Sequence, residues 1–331
     1  MTSTQDPSTG LAARRKELSR RLAGTQVPLV GSLRRPIDNL PFPYRAPTVP
    51  LTVEPAPVKG TTGADFPTEW ARTESARRAR AVLIETMVRP VMAGLAQPTI
   101  RGRDRLEGLD GPAIFAANHH SHIDTPLLLS SLPLPWRHNV VVGAAADYFF
   151  GTRATGTMSA LVIGAIPIDR NRASRSATDL ARDLIDSGWS MVVFPEGGRS
   201  PDGWGQPFRG GAAFIATKTN CPIVPVHIEG TGRILRKGSS RPTPARTTIT
   251  FGEPIFPGEK AEARKLNERV EQRVAELADE AMTDWWQSRQ RAHAGETPPL
   301  TGPRTASWRR VWELDRDATS RKGPRRRNWP R

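Results

Sequence analysis

Residues 113–129 read Ala-Ile-Phe-Ala-Ala-Asn-His-His-Ser-His-Ile-Asp-Thr-Pro-Leu-Leu-Leu, and no other stretch constrains the fold of this chain as much. The five apolar residues that follow Gly111-Pro112 have the pattern of a strand buried on both faces of a sheet. The next seven carry three histidines, an asparagine, a serine and an aspartate. Ile123, Pro126 and Leu127 to Leu129 then resume an apolar pattern suited to a helix. Ser121 or Asp124 can start that helix, and Pro126 is tolerated in its first turn, where a missing N–H costs nothing. The stretch reads as strand, polar turn, helix.

Within it, His119 and Asp124 stand five apart. In an unbroken helix, residues at that spacing point roughly 140° away from each other. They can meet only if His119 lies on the turn and Asp124 in the first helical turn. Such a pair has a use: the carboxylate fixes one imidazole tautomer, and the other ring nitrogen can take a proton from a hydroxyl. The spacing alone fits equally well an aspartate that caps a helix beside surface histidines.

Around this stretch, short apolar runs at 139–142, 166–168, 191–194, 223–228 and 247–251 predict further strands, with helices over 125–131, 173–187 and 211–219. Strands alternating with helices imply an α/β fold, a mostly parallel or mixed sheet flanked by helices. Ligands in such sheets sit beyond the carboxyl ends of the strands. The three most polar loops follow Ala117, Ile168 and Phe194, so they are expected to converge on one edge. In the second, Arg170 offers a planar fork of donors suited to phosphate. In the third, Pro195-Glu196-Gly197-Gly198-Arg199-Ser200, two successive glycines allow close backbone approach, and exposed N–H groups can cradle an anion. Each loop by itself also fits a surface ion pair or a tight turn.

Taken together and in order, residues 118–124, 164–170, 194–200 and 223–226 resemble the four sequence blocks of the glycerolipid acyltransferase family, typified by 1-acylglycerol-3-phosphate O-acyltransferases. The resemblance covers roughly residues 98–255. It implies that His119 is a general base oriented by Asp124. It also implies that Arg170, Glu196, Gly197, Gly198 and Arg199, with Asn118 and Ser121 of the first block, form the acceptor-binding surface. No cofactor is implied: the donor is an acyl-CoA or acyl carrier protein co-substrate, and the acceptor a lysophospholipid. Pro167 stands where an aromatic or aliphatic residue is usual, and Gly198 where threonine is frequent. Acylation of another hydroxyl or amine lipid is therefore the alternative. The single cysteine, Cys221, sits before Pro222 with no nucleophile motif around it, and no metal site is marked, because His120 and His122 lack a third ligand.

The ends of the chain differ from its middle. Residues 1–66 are rich in proline and are expected to form an extended or disordered arm. The domain is expected to run from 67 to 290. It would open with a long helix from Trp70 to Leu95, kinked at Pro90 and either packed on the sheet or lying on an anionic membrane, and close with an amphipathic helix from Lys260 to Trp286. The remainder, 291–331, is a basic tail: residues 301–331 hold ten Lys or Arg against three acids, a surplus of seven out of the chain's net +15, with Trp308, Trp312 and Trp329 among them. Interleaved Arg and Trp suit an anionic membrane surface. They also suit nucleic acid, the function class that competes with an enzyme, but no nucleic-acid-binding motif accompanies them and none is expected as partner. With neither an apolar leader nor an uncharged run long enough to span a bilayer, the expected location is cytoplasmic and peripheral to the membrane.

Overall fold

The computed structural model describes residues 63, 65–168, 175–235, 241–258 and 262–302. The chain divides into a unit of residues 1–58, outside the described residues, and a unit of 59–331 that holds the whole sheet. Seven strands form one mixed sheet in the order β1-β7-β6-β2-β5-β3-β4. They are β1 (Pro98–Arg101), β2 (Ile114–Ala117), β3 (Val140–Ala145), β4 (Ala165–Ile168), β5 (Ser190–Val193), β6 (Ile223–Glu229) and β7 (Thr247–Phe251). All neighbours are parallel except β6 and β7, so the pair β1 and β7 runs against the other five. The six expected strands are present; β1 adds a seventh.

Helices cover both faces, which explains why β2 is buried at all four residues. After α1 (Glu74–Leu83), on one face α2 (Arg89–Ala96) and α3 (Asp124–Ser131) pack Met92, Leu127 and Leu128 against Phe115, Val224 and Phe251. Beyond β3 come the single turn α4 (Ala146–Phe149) and α5 (Arg153–Ile163). On the other face, α6 (Arg175–Asp186), α7 (Gly211–Thr219) and α9 (Ala263–Met282) bury Leu184, Ala216 and Val274 against Ile114, Met191 and Ile223; the short α8 (Thr231–Ile234) follows β6.

Three expectations change. The helix expected from 70 to 95 is interrupted by a π turn, Ile84–Val88, in which the Arg89 N–H reaches back to the Ile84 carbonyl. Pro90 follows with no N–H to give, so the chain widens by one residue instead of simply bending. Residues five apart across that wide turn share a face. Val82, Met87 and Val91 thus form one exposed apolar stripe, while Ile84, Met92 and Ala96 are buried. At the other end, Trp285 does not continue the apolar stripe of α9. That helix stops at Met282, and Asp284 caps a new one, α10 (Trp285–Ala294), through the Gln287 N–H, leaving Trp285 and Trp286 exposed. Finally, order extends past both boundaries drawn at 66 and 290. Phe66 packs on Phe150 with ring centroids 5.3 Å apart, and Gly205 N–H donates to the Leu300 carbonyl at 2.9 Å. Residues 1–62 and 64 of the expected arm and residues 303–331 of the expected tail lie outside the described residues.

Candidate active site

Strand β2 carries Asn118 and His119 to the carboxyl edge of the sheet, and the chain then turns so that α3 begins at Asp124. His119 Nδ1 and Asp124 Oδ2 are 2.9 Å apart, the contact that a continuous helix would forbid. The same carboxylate oxygen accepts the backbone N–H of His120 at 2.6 Å and of Ser121 at 2.8 Å. Asp124 is fully buried, and these bonds replace the water that Oδ2 gives up, while Oδ1 is buried without a partner. With Nδ1–H donating to the carboxylate, the lone pair of the imidazole is on Nε2. The ring stacks on Phe194 at 4.2 Å between centroids, which fixes its plane. The His119 side chain keeps 16% of its surface exposed, so a substrate can reach it.

Two residues of the first block serve the scaffold. Asn118 lies buried between strands: its Nδ2 donates to the Ile228 carbonyl at 2.8 Å and its Oδ1 accepts the Ile228 N–H at 2.7 Å, extending the β2–β6 ladder by a side-chain amide. Ser121, also buried, donates its hydroxyl to the Leu235 carbonyl at 2.7 Å. Both had been expected on the acceptor-binding surface. Their polar atoms are instead used by backbone, and they hold the turn from Asn118 to Asp124 against β6 and α8.

The third block meets the first directly. Glu196 is buried, its Oε1 accepting the His119 N–H at 2.9 Å and its Oε2 the Gln206 N–H at 2.9 Å. The Ser200 N–H donates to the His119 carbonyl at 2.8 Å. Burial pushes the Glu196 carboxyl up to about 7 despite the two N–H bonds that favour its charge. Gly197 has φ +72°, a conformation that strains any larger residue, and a Cβ there would stand 2.8 Å from Arg209 Nε and have to displace that side chain. Gly198 and Arg199 follow, half-buried, at the rim. The loops after β2 and β5 therefore converge as expected; Arg170, in the loop after β4, lies outside the described residues.

Beyond the expected set, the structure adds two residues. Tyr148, on α4, bonds and stacks on His122 and stands beside Arg199. His227, inside β6, is buried with its Nδ1 unpartnered, and burial pushes it down to about 3, so it is neutral. A polar residue in the apolar run 223–228 was the only signal for His227; Tyr148 gave none. Burial pushes the Cys221 thiol up to about 12, which fits its exclusion as a nucleophile. Among the described residues, no group of three or more His, Cys, Asp and Glu could hold a metal ion.

Residues 97–229 match the family model described as Acyltransferase. The chain is 34% identical over 142 residues to a chloroplastic 1-acyl-sn-glycerol-3-phosphate acyltransferase of Brassica napus, covering 42% of this chain and 39% of that protein. It is 33% identical over 162 residues to a 1-acyl-sn-glycerol-3-phosphate acyltransferase of Cocos nucifera, covering 48% of this chain and 50% of that one. The chain thus spans half or less of the length of these relatives. Among solved structures, the 1-acyl-sn-glycerophosphate acyltransferase of Thermotoga maritima superimposes with a TM-score of 0.52 at 25% identity, over 66% of this chain and 84% of that one.

Proposed function

We propose, from the premise that residues 97–229 form a domain of the glycerolipid acyltransferase family, that this chain moves a fatty acyl group from a thioester donor to the free hydroxyl of 1-acylglycerol-3-phosphate. The observation that carries the reading is the His119–Asp124 pair at 2.9 Å, half-open at the sheet edge and locked by backbone donors. His119 Nε2 takes the proton of the acceptor hydroxyl as that oxygen attacks the thioester carbonyl carbon. The tetrahedral oxyanion then collapses, the C–S bond breaks, and the departing thiolate takes the proton back from the imidazolium. Asp124 keeps the tautomer correct and offsets the positive charge in between. No group of the protein is acylated. The donor is acyl-CoA or acyl carrier protein, and the acceptor phosphate is met by Arg199 and Arg170.

Because both acceptor and product are lipids, the chain works at a membrane surface. Among the described residues no helix is long and apolar enough to cross a bilayer. The exposed stripe of Val82, Met87 and Val91 and the basic residues of 303–331 are the elements suited to lie on an anionic one.

The test is turnover of acyl-CoA with a panel of lyso-acceptors, the product identified by mass spectrometry. His119→Ala should abolish transfer with the fold intact, and Asp124→Asn should cost roughly two to four powers of ten in turnover, as loss of an orienting carboxylate does elsewhere. A folded His119→Ala protein with near-normal turnover would remove His119 from the chemistry.

A further inference from the structure

The part of the site left unexplained is an aromatic cluster on its β3 side. Tyr148 lies on α4, just after β3, 56% exposed beside the catalytic turn. Its hydroxyl is 2.9 Å from His122 Nε2, and the two rings stack at 5.3 Å and 23°. Phe149 closes the cluster edge-on, 5.0 Å from Tyr148 and 6.3 Å from His122. On the third loop, Arg199 Cζ stands over the Tyr148 ring, 6.0 Å from its centroid. One side chain therefore touches all three: the turn after β2, the helix after β3 and the loop after β5.

Burial first, and then the charge of Arg199, lowers the proton affinity of His122. The Tyr148 hydroxyl can donate to Nε2 or accept from it, so the two groups share a hydrogen bond in either imidazole tautomer. That bond fixes the ring, and a fixed ring face attracts a guanidinium through its quadrupole. A flexible arginine would otherwise lose several rotamers on meeting an anion.

We infer that Tyr148 is a positioning residue that determines headgroup specificity: clamped by His122, it holds the Arg199 guanidinium ready for the phosphate monoester of the acceptor. The inference rests on the proposed acylation of a phosphorylated lyso-lipid, and deepens it. Tyr148 does not touch the reacting atoms. It acts through Arg199, so its loss should weaken acceptor binding and leave the donor and the chemical step alone.

The experiment has two arms, both on the full chain. In the first, Tyr148→Ala should raise KM for 1-acylglycerol-3-phosphate about two- to fivefold, the equivalent of one exposed cation–π contact, with kcat and the KM for acyl-CoA unchanged. Tyr148→Phe keeps the ring and loses only the bond to His122, and should raise the acceptor KM about two- to threefold, within the cost of one neutral hydrogen bond. In Arg199→Ala the further change Tyr148→Ala should add nothing, because the two act as one unit. Equal rises in both Michaelis constants, or full additivity, would overturn the assignment. The second arm titrates glycerol 3-phosphate calorimetrically and needs no turnover, so it stands even if the proposed acylation fails. Binding by the parent and its weakening in both Tyr148→Ala and Arg199→Ala supports the inference; unchanged affinity in Tyr148→Ala, or no binding by the parent, defeats it.

Discussion

At the scale of single residues, two buried titratable groups near the site pull stability in opposite directions. Glu196 is raised to about 7 by burial, above its ordinary 4.5, so the folded chain keeps a proton that the unfolded chain has released. Its contribution is full below pH 4.5 and is lost as pH rises towards 7. His227 is lowered to about 3 from 6.5, so the folded chain refuses a proton that the unfolded chain takes up. Its contribution is full above pH 6.5 and is lost as pH falls towards 3. Each slope is about 1.4 kcal/mol per pH unit, and the two nearly cancel between pH 4.5 and 6.5. Glu196→Gln should therefore unmask a stability that climbs with pH across that window, and His227→Gln one that falls, when denaturant midpoints are compared with the parent at each pH. Parallel profiles for all three proteins would show that neither group titrates as described.

At the scale of elements, the turn from Asn118 to Asp124 is held by backbone pairing more than by its own sequence. Asn118 joins β2 to β6 through both atoms of its amide, and Gly197 lets the third loop pass beneath Arg209. Asn118→Ala leaves a buried N–H and carbonyl of Ile228 without that partner, and should lower unfolding free energy by about 2–4 kcal/mol. Gly197→Ala forces a left-handed residue with a Cβ, and should cost about 1–2 kcal/mol before the displacement of Arg209 is counted. Chemical denaturation checks both, and a loss under 0.5 kcal/mol in either, below the ordinary range for such changes, would contradict the geometry. Legibility follows the same division. Strands β2 to β5 could be read because burial leaves a largely apolar run, while β6 and β7 showed through runs that His227 and three threonines interrupt. Strand β1, Pro-Thr-Ile-Arg, is a half-exposed edge of four residues, too short for its alternation to stand out. Helix α5 hides in a stretch of Thr, Gly and Ala whose start is set by a Thr152–Thr155 capping box. The meeting of His119 with Asp124 could be read from a polar turn set between two apolar runs, whereas the bond from the His119 N–H to Glu196 could not. Asn118 and Ser121 carried the same motif but a different task, which only their partners reveal. Trp285 matched a helical period that Met282 ends.

At the scale of the molecule, charge and apolar surface supply two separate candidates for holding a bilayer. Each Lys or Arg near an anionic surface contributes on the order of 1 kcal/mol, weakened by salt. Deleting 303–331, with its ten basic residues, should thus lower binding to anionic vesicles most at low salt. Replacing Val82, Met87 and Val91 with serine should lower it at every salt concentration. Sedimentation with vesicles separates them; if the truncated chain binds as the intact one does at low salt, the basic segment is not an anchor. The sheet order has a consequence of another kind, for the making of the protein. Strand β1 lies against β7, with Pro98 opposite Thr247, so the two partners are 149 residues apart along the chain. At about 5–20 residues per second of synthesis, β1 leaves the ribosome roughly 7–30 seconds before its neighbour exists. Throughout that interval the nascent chain carries an unpaired edge in which Ile100 will later be half-buried. Its brevity and the outward Arg101 make it a poor template for a second chain, and among the described residues the last strand to be translated completes the first.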